Sequence, residues 1–400
     1  MNQIAAAGNK GERIRSDCYI TLKIKKKGGI SIELNSKVES MYGRQIRQQV
    51  KDVLEALGVL HASLQVVDTG ALPFVIGARI EAAVKQLIPS SSSWLPPLIP
   101  QNQTKSKKGR IRFSRLYLPG NNPGMMLNAG IHRPNGIILD LEDSVAPQKK
   151  SEARLLVRNA LRQVDFYGAE RMVRINQLPA GLADLEDIVP HYVNLILIPK
   201  CEHASQVTQV EERTKSILKG YNQDREIFFM PLIESCLGIE NAFQIAQSSG
   251  RVAGMAIGLE DYTADLGVRR TTRGDESLYA RTRLVNACKA AGIQPIDSVY
   301  SDVANMEGLK EDVHRSKSLG FEGMGCIHPG QVQVIQKGYC PDEDEIARAE
   351  KIIKAYKEAE SRGLGVISLG TRMIDPPVVR RAQKTISLAI LFGVREQSDL

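Results

Sequence analysis

The stretch GIILDLED, residues 136–143, carries a short apolar run directly into three carboxylates. The run Ile137–Leu139 is typical of a buried strand. Asp140, Glu142 and Asp143 follow at its end. Carboxylates at the edge of an apolar core need cations, hydrogen-bond donors or water beside them. The stretch therefore predicts a strand that ends in a polar tip.

The same pattern, an apolar run followed by a polar tip and a stretch of helical periodicity, recurs from residue 110 onward. The runs are FSRLYLPG (113–120), GIILDLED (136–143), RMVRIN (171–176), NLILIPK (194–200), IFFMPLIES (227–235), VAGMAIGLED (252–261), PIDSVYSD (295–302) and MGCIHPGQ (324–331). Their continuous rather than alternating hydrophobicity is typical of parallel strands covered by helices. Eight such strands alternating with helices predict an α/β fold, a (β/α)8 TIM barrel.

The residues before the barrel predict a separate small α+β domain. CYITLKIKKKGGISIEL (18–34) alternates apolar and polar residues on both sides of a Gly-Gly pair, which predicts a β-hairpin. VESMYGRQIRQQVKDVLEALGV (38–59) has apolar residues at helical spacing. SLQVVDTGALPFVIGARIEAAVKQL (63–87) predicts a strand, a turn and a second helix.

These patterns divide the chain into four parts. We expect the small domain in residues 1–88, a Ser/Pro/Lys-rich linker in 89–109, the barrel in 110–340, and a helical extension and lid in 341–400. The linker shows no periodicity, so it either simply joins two domains or acts as a flexible tether for a reactive group. In the extension, Asp375 precedes a Pro-Pro pair at a predicted helix start.

Composition limits the class of protein. Hydrophobic residues make up 42% and charged residues 24% of the chain, which is ordinary for a soluble globular protein. No apolar run reaches the roughly 18 residues that span a bilayer, and the N-terminal segment lacks the apolar core of a signal peptide. The six cysteines have no CxxC spacing, which favours reduced thiols over disulfides or zinc. We expect a cytoplasmic protein that binds no membrane.

The excess positive charge lies in the first quarter of the chain. Residues 1–109 contain 16 Lys/Arg and 8 Asp/Glu, whereas the rest of the chain is balanced. The clusters KIKKK (23–27) and KSKK (105–108) are either solvated surface or a docking site for an acidic partner or phosphorylated cofactor. Aromatic interleaving, zinc spacing and a recognition helix are lacking, so we do not expect nucleic-acid binding.

The strand ends of the barrel predict a metal site. Catalytic residues of TIM barrels lie at these ends, and carboxylates there favour Mg²⁺ or Mn²⁺ over zinc or copper. Glu234 and Asp261 follow successive strands and are the predicted ligands, although a lone Glu at such a position is often a helix cap or a salt-bridge partner. Asp140 and Glu142 share one strand face and Asp143 lies on the turn, so these three cannot converge on one ion.

Three further strand-end residues allow more than one role. Arg174 can balance the acids structurally and can also bind a substrate carboxylate. His328, before a proline, fixes a loop or acts as a base, and the first is favoured. Lys200 could form a Schiff base as in aldolases, but the cluster of metal-type acids makes that chemistry unnecessary.

At these residues the sequence resembles a known family. Residues 110–400 are similar to the citrate lyase β subunit and to the malyl- and citramalyl-thioester lyases of the aldolase/citrate lyase family. The matching segments are RLYLPGNNPGMM, ILDLEDSVAPQKKSEAR, VRIN, LILIPK, PLIESCLGIENA, AIGLEDYTADLG and MIDPPVVRRAQ. Residues 12–87 resemble the citrate lyase acyl carrier, the γ subunit, so the chain looks like a fusion of carrier and lyase.

For the barrel, the resemblance implies a role for each candidate residue. Mg²⁺ would be held by Glu234 and Asp261. Arg174 would bind the oxo-acid carboxylate. Glu142 and Asp143 would orient metal-bound waters in the second coordination shell and balance the arginine.

The resemblance also implies residues and partners beyond the barrel. Asp375 would be the acid/base, often reaching the site of a neighbouring subunit in a homo-oligomer such as a trimer or hexamer. Ser16 would carry phosphoribosyl-dephospho-CoA, and a separate acyltransferase (α) subunit would be the partner. The chain departs from the family pattern twice, because the usual Ser-Gly-Asp is shortened to Ser16-Asp17 and Met324 replaces a lysine in the last strand.

The function expected from the resemblance is cleavage of a citryl thioester to oxaloacetate and an acetyl thioester. The alternative is a lyase acting on free malyl-CoA or citramalyl-CoA, with CoA thioester as substrate and a vestigial carrier domain. A non-catalytic scaffold for an acyltransferase subunit is disfavoured, because Glu234, Asp261, Arg174 and Asp375 are all present.

Overall fold

A computed structural model describes residues 4–361, 367–369 and 372–395 of the chain. The N-terminal part is an α+β unit with a mixed sheet. Its strands are β1 (Ile4–Gly8), β2 (Cys18–Ile24), β3 (Ile30–Ser36) and β4 (Ala62–Asp68), and its helices are α1 (Glu39–Ala56) and α2 (Pro73–Leu87). The sheet order is β1-β2-β4-β3, and β3 runs parallel to β4 whereas the other pairs are antiparallel.

The predicted hairpin between residues 18 and 34 is wrong. A turn does form, with Gly28 and Gly29 at positive φ, but β2 and β3 do not pair with each other. Instead β4 lies between them and hydrogen-bonds to both. The central position suits β4 because its alternate side chains are buried beneath the helices. The pairing of β2 and β3 is therefore determined by β4, which lies far along the chain, and not by the turn.

The predicted (β/α)8 TIM barrel is confirmed. Its strands are β5 (Ser114–Pro119), β6 (Gly136–Asp140), β7 (Glu170–Arg174), β8 (Leu195–Ile198), β9 (Phe228–Ile233), β10 (Gly254–Ile257), β11 (Gln294–Ile296) and β12 (Met324–Cys326). Neighbours in the chain are neighbours in the sheet and run parallel, and β12 pairs with β5. A bridge between Asp297 and Met324 joins β11 to β12 and closes the circle.

Helices surround the strands. They are α3 (Pro123–Leu127), α4 (Lys150–Gln163), α5 (Gly181–Ile188), α6 (Ala204–Gly220), α7 (Cys236–Glu240), α8 (Ala242–Ala246), α9 (Leu259–Leu266), α10 (Leu278–Ala290), α11 (Met306–Leu319) and α12 (Pro329–Tyr339). Short 3-10 helices lie at Pro100–Gln103, Ala129–His132, Pro147–Lys149, Val189–His191 and Asp275–Ser277. Alternate strand residues face the helices or the barrel interior, where Ile138, Met172 and Met230 form a separate apolar cluster.

The N-terminal unit packs directly on the barrel through α2 and α4. Arg158 of α4 donates from Nη1 to Oε1 of Glu81 on α2 at 3.0 Å, and both side chains are buried. The main-chain N–H of Trp94 donates to the same carboxylate at 3.2 Å. The indole ring of Trp94 covers Gly77, where no larger residue would fit.

A second buried ion cluster lies at the same interface. Arg79 donates to both carboxylate oxygens of Asp17, at 3.0 and 2.9 Å. Glu152 of the barrel accepts a hydrogen bond from the main-chain N–H of Gly8 at 2.8 Å and lies 3.8 Å from Arg79. Removing one partner of a buried pair is strongly destabilising, because the other charge is left uncompensated. The interface therefore holds the two parts in a fixed relation.

The segment 89–109 is also held against the barrel, so the tether interpretation does not fit the structure. The main-chain N–H of Ile99 donates to the carbonyl of Arg162 at 2.9 Å. Asn102 is buried and donates to the carbonyls of Leu161 and Val164 at 2.9 and 2.8 Å. These contacts fix the segment along α4, because each uses a main-chain group that would otherwise bind water.

The C-terminal extension forms two helices and a short hairpin in the described residues. They are α13 (Glu343–Glu360), β13 (Ile367–Leu369), β14 (Arg372–Ile374) and α14 (Pro376–Leu391). The two helices pack on each other, and Phe392 stacks on Phe113 of the barrel with ring centroids 5.0 Å apart. No helix in the described part of the chain is long and apolar enough to cross a membrane.

Candidate active site

A cavity of about 470 Å³ opens at the carboxyl ends of the barrel strands. The predicted site residues that line it are Asp140, Asp143, Arg174, Glu234 and Asp261. Its wall and floor also include Arg115, Tyr117, Leu232, Gly258 and Gly325. The barrel thus brings together strand-end residues that are far apart in the chain.

Glu234 follows β9 and is almost fully buried, with 4% of its surface exposed. Its Oε1 accepts a hydrogen bond from the main-chain N–H of Lys200 at 2.7 Å. Burial raises the pKa of Glu234 to about 8, with further contributions from Asp261 and Glu142, and the hydrogen bond from Lys200 opposes this shift. A buried carboxyl beside other carboxylates favours a proton unless a cation replaces it.

Asp261 lies in the first turn of α9, which follows β10. Its Oδ1 accepts from Nζ of Lys200 at 3.3 Å. Gly258, just before this helix, leaves open the space in front of Glu234, because a Cβ there would lie 2.6 Å from Oε2 of Glu234. The two carboxylates therefore line the same cavity, with the ammonium of Lys200 beside Asp261.

This donor set fits a hard divalent cation. No group of three or more His, Cys, Asp or Glu side chains suited to a metal occurs among the residues that the structure describes. Mg²⁺ is commonly bound by one or two carboxylates, with the other positions left to water and substrate oxygens. Glu234 and Asp261, with the open space kept by Gly258, supply such a pair.

The three acids of the sequence DLED (140–143), at the end of β6, surround Arg174. Asp140 accepts from Nε and Nη2 of Arg174 at 2.6 and 2.7 Å. Glu142 and Asp143 lie 2.9 and 3.7 Å from its Nη1. Burial alone would raise the pKa of Asp140, but the hydrogen bonds from Arg174 outweigh it and hold that pKa below its usual value. The three acids therefore share one arginine, whose positive charge partly balances their negative charges.

Glu142 is buried, like Asp140. It is 2% exposed and accepts from Nε2 of Gln177 at 3.0 Å. Burial raises its pKa, and Arg174 opposes the shift. It does not line the cavity, whereas Asp143 is largely exposed at the rim.

Lys200 and His328 have other roles than direct chemistry. Burial alone would lower the pKa of Lys200, but Asp261 outweighs burial and raises it. A Schiff-base lysine needs a lowered pKa, so this environment does not suit one. His328 is the N-cap of α12, where its Nδ1 accepts from the main-chain N–H of Gly330 at 3.1 Å. The loop-fixing role predicted for it is confirmed.

Asp375 and Met324 lie outside the cavity of their own chain. Asp375 caps α14 and accepts from the main-chain N–H of Val378 at 3.1 Å. Met324 begins β12 and packs in the layer between strands and helices. The next residue, Gly325, is the one that faces the cavity.

Ser16 lies beside the barrel rim, next to the loop between β5 and α3. It has a positive φ of 57° and lines a cleft of about 500 Å³ with Asn121, Asn122 and Asn128. A Cβ placed on Gly124 would lie 3.9 Å from Cβ of Ser16. The cleft also contains Arg13 and Arg15.

Two cavity residues were missed from the sequence, Arg115 and Tyr117 of β5. They occupy alternate positions of one strand and face the interior, and the guanidinium of Arg174 lies 5.4 Å from the ring centre of Tyr117. The signal was present, because an arginine within the apolar run FSRLYLPG is as unusual as Arg174 in RMVRIN.

Family models match both parts of the chain. Residues 114–329 match the HpcH/HpaI aldolase/citrate lyase family. Residues 6–87 match the malonate decarboxylase delta subunit (MdcD), an acyl-carrier family.

Individual proteins match the barrel part. The citrate lyase subunit beta of Leuconostoc mesenteroides subsp. cremoris is 39% identical over 283 residues, which are 70% of this chain and 94% of that protein. The human mitochondrial citramalyl-CoA lyase is 32% identical over 70% of this chain and 85% of its own length. The structure of protein CitE from Mycobacterium tuberculosis, in complex with magnesium, acetoacetate and coenzyme A, has a TM-score of 0.60 and 28% identity over 71% of this chain and 99% of its own.

Proposed function

This chain belongs to the HpcH/HpaI aldolase/citrate lyase family, whose named relatives are oxo-acid lyases, and from this premise we propose that it cleaves a citryl thioester to oxaloacetate and an acetyl thioester. The carbon–carbon bond between the hydroxyl-bearing carbon and the thioester methylene breaks. The hydroxyl loses its proton, and the released methylene gains one.

The observation that carries the proposal is the gathering of Glu234, Asp261 and Arg174 around one cavity at the barrel's catalytic end. Glu234 and Asp261 would hold Mg²⁺ (or Mn²⁺). A bound divalent cation lowers the pKa of a substrate hydroxyl and polarises the forming ketone. Arg174 would bind the oxo-acid carboxylate, because it lines the same cavity.

The acids around Arg174 would position it and the waters of the site. Asp140 fixes the plane of the guanidinium with its two hydrogen bonds. Glu142 and Asp143 would orient waters near the carboxylate pair, a role that neighbours of metal ligands commonly have.

Asp375 would be the acid that protonates the acetyl carbon. It lies outside the cavity of its own chain, at the start of a helix in the extension. This position supports a homo-oligomer, a trimer or hexamer, in which the extension covers a neighbouring site as a lid. Exclusion of water by such a lid would protect the reactive enolate.

Ser16 would carry a phosphoribosyl-dephospho-CoA arm that presents the acyl thioester. The match of residues 6–87 to an acyl-carrier family supports this role. Pro119 lines the cavity, and the five residue steps from Pro119 to Gly124 span at most about 18 Å, so Ser16 lies within reach of the cavity wall. The arginines of its cleft are suited to phosphate groups.

We place the carrier domain in residues 1–88, the linker in 89–109, the lyase barrel in 110–340 and the extension in 341–400. The partner would be a citrate lyase acyltransferase (α) subunit, and the location would be the cytoplasm.

A second candidate is a lyase that acts on free CoA thioesters, with the carrier domain vestigial. The similarity to the human citramalyl-CoA lyase favours it. The intact mass of the protein, produced together with the enzymes that attach the prosthetic group, separates the two. A Ser16-linked adduct is expected for the carrier, and its absence supports the second candidate.

The metal role is tested with Glu234→Gln. This variant should lose oxo-acid release at saturating Mg²⁺, whereas Glu260→Gln, which removes a neighbouring exposed carboxylate paired with Arg270, should keep most of it. Full activity of Glu234→Gln would show that the ligand assignment is wrong.

A further inference from the structure

Arg115 is buried at the bottom of the candidate active site and has no carboxylate partner among the residues that the structure describes. It is 1% exposed and lines the cavity. Its Nη1 contacts the sulfur of Met230 at 2.9 Å, which is a weak acceptor. Its buried Nε has no hydrogen-bond partner in the described part of the chain. The guanidinium therefore faces the cavity with unused donors.

The other arginines that are buried as deeply are all paired with carboxylates. The three pairs are Arg79 with Asp17, Arg112 with Glu170, and Arg158 with Glu81. A buried cation without a counterion is costly, because it has lost its hydration and gained no charge-assisted hydrogen bonds. Burial accordingly lowers the pKa of Arg115. An anion entering the cavity would remove this cost.

Glycines flank this side chain on both neighbouring strands. The residues opposite Arg115 on the two neighbouring strands are Gly136 and Gly325. Gly325 lines the cavity, and a Cβ there would lie 3.2 Å from the ring of Tyr117 and closer still to Val299. A Cβ on Gly136 would lie 2.5 Å from Cε of Met172, so the side chains of Met172, Tyr117 and Val299 pack into the places that larger residues at 136 and 325 would take, and Arg115 lines the cavity beside them.

Of the two arginines that line the cavity, Arg174 already pairs with carboxylates, whereas Arg115 does not in the described part of the chain. Arg174, at the upper end of the same cavity, is surrounded by Asp140, Glu142 and Asp143. Tyr117 lies two residues after Arg115 on the same strand, and its ring centre is 5.4 Å from the guanidinium of Arg174. An anion deep in the cavity would therefore meet Arg115 and not the acids around Arg174.

We propose that Arg115 binds a second carboxylate of the substrate and makes the site selective for dicarboxylic oxo acids. This inference rests on the proposed lyase function. Oxaloacetate has one carboxylate beside its ketone and another on the adjacent methylene, whereas pyruvate has a methyl group in place of the second arm. Arg115 would bind the distal carboxylate, and a citryl thioester would be preferred over citramalyl and malyl thioesters.

The test compares binding of oxaloacetate and pyruvate to the whole protein in the presence of Mg²⁺, by calorimetry. Arg115→Met should weaken oxaloacetate binding by about 100-fold, the size expected for losing charge-assisted hydrogen bonds. Pyruvate binding should change less than about threefold. The variant should fold, because replacing an unpaired buried charge by an apolar side chain of similar length commonly stabilises a protein. Arg115→Lys keeps the charge and should retain part of the preference.

Kinetics with citryl-CoA and citramalyl-CoA give an independent result. For Arg115→Met, kcat/KM for citryl-CoA should fall far more than kcat/KM for citramalyl-CoA. A parallel loss for both thioesters, or unchanged oxaloacetate binding, would overturn the inference. If the wild-type protein cleaves neither thioester, the proposed lyase function fails, while the binding comparison still decides the role of Arg115.

Discussion

The main-chain N–H of Lys200 donates to Oε1 of Glu234 at 2.7 Å, and the side chain of the same lysine reaches Asp261 at 3.3 Å. One residue thus contacts both proposed metal ligands. Its backbone orients the first carboxylate, and its ammonium balances the second. A cation entering between the carboxylates would have to displace the ammonium and any proton on Glu234.

Magnesium affinity should therefore depend on pH. The pKa of Glu234 is raised from 4.5 to about 8, so a proton must leave before the metal binds. The apparent Kd for Mg²⁺ should fall as pH rises toward 8 and then level off, as titration calorimetry can measure. The free energy of unfolding of the metal-free protein should change in the opposite direction. A raised carboxyl pKa stabilises the metal-free fold at low pH, and this contribution is lost as pH rises through 8. A flat Kd between pH 6 and 8 would count against the assignment, and Glu260→Gln serves as the control.

The space kept open by Gly258 should be essential for the metal. Its φ of −108° is allowed for alanine, so the effect of Gly258→Ala comes from close contacts of the new Cβ with Glu234, at 2.6 Å from Oε2 and 2.9 Å from Cβ. We expect at least a tenfold loss of Mg²⁺ affinity with the fold retained. Gly250→Ala, where nothing lies within 4 Å of the new Cβ, should bind Mg²⁺ normally. Equal Mg²⁺ affinities of Gly258→Ala and Gly250→Ala would show that the space beside Glu234 is not needed for metal binding.

The buried Glu81–Arg158 pair should hold the N-terminal domain on the barrel. Arg158→Met leaves Glu81 buried without its partner, which typically costs about 3–5 kcal/mol. Urea unfolding followed by the fluorescence of Trp94, the one tryptophan of the chain, reports directly on this interface. Arg47→Gln, which breaks the exposed pair with Glu39, should cost less than about 1 kcal/mol. Similar unfolding midpoints for the two variants would mean that the pair does not secure the interface.

A carrier fixed on its own barrel should deliver its arm within the same chain. Ser16→Ala removes the arm and leaves the barrel intact, whereas Glu234→Gln removes the metal ligand and leaves the arm. A mixture of the two variants, with the acyl group loaded on the Glu234→Gln chain, should release almost no oxo acid. Recovery of a substantial fraction of the wild-type rate would show delivery to another chain. Release from free CoA thioester by Ser16→Ala checks that its barrel is active.

The barrel could be predicted from the sequence because each of its strands is a continuous apolar run with a polar end, and neighbouring runs pair in order. The strand ends also gave Glu234 and Asp261 as candidates. The hairpin at Gly28 failed because β4, far along the chain, competes for the same edge. Docking of residues 89–109 could not be foreseen, since Asn102 looks like any loop asparagine until its partners on α4 are known.

Arg115 shows the limit of apolar patterning. It was counted as part of a strand, and its isolation in the interior depends on glycines at positions 136 and 325 of neighbouring strands. Such a relation between three strands is set by barrel closure and by register, which local sequence does not encode.

The most direct test of the central claim is oxo-acid release by the purified protein from citryl-CoA, citramalyl-CoA and malyl-CoA, with and without a chelator. We predict release that stops when the chelator removes divalent cations, resumes when Mg²⁺ is restored, and is fastest with citryl-CoA. Failure to release an oxo acid from any of the three thioesters, or release that the chelator leaves unchanged, would contradict the account.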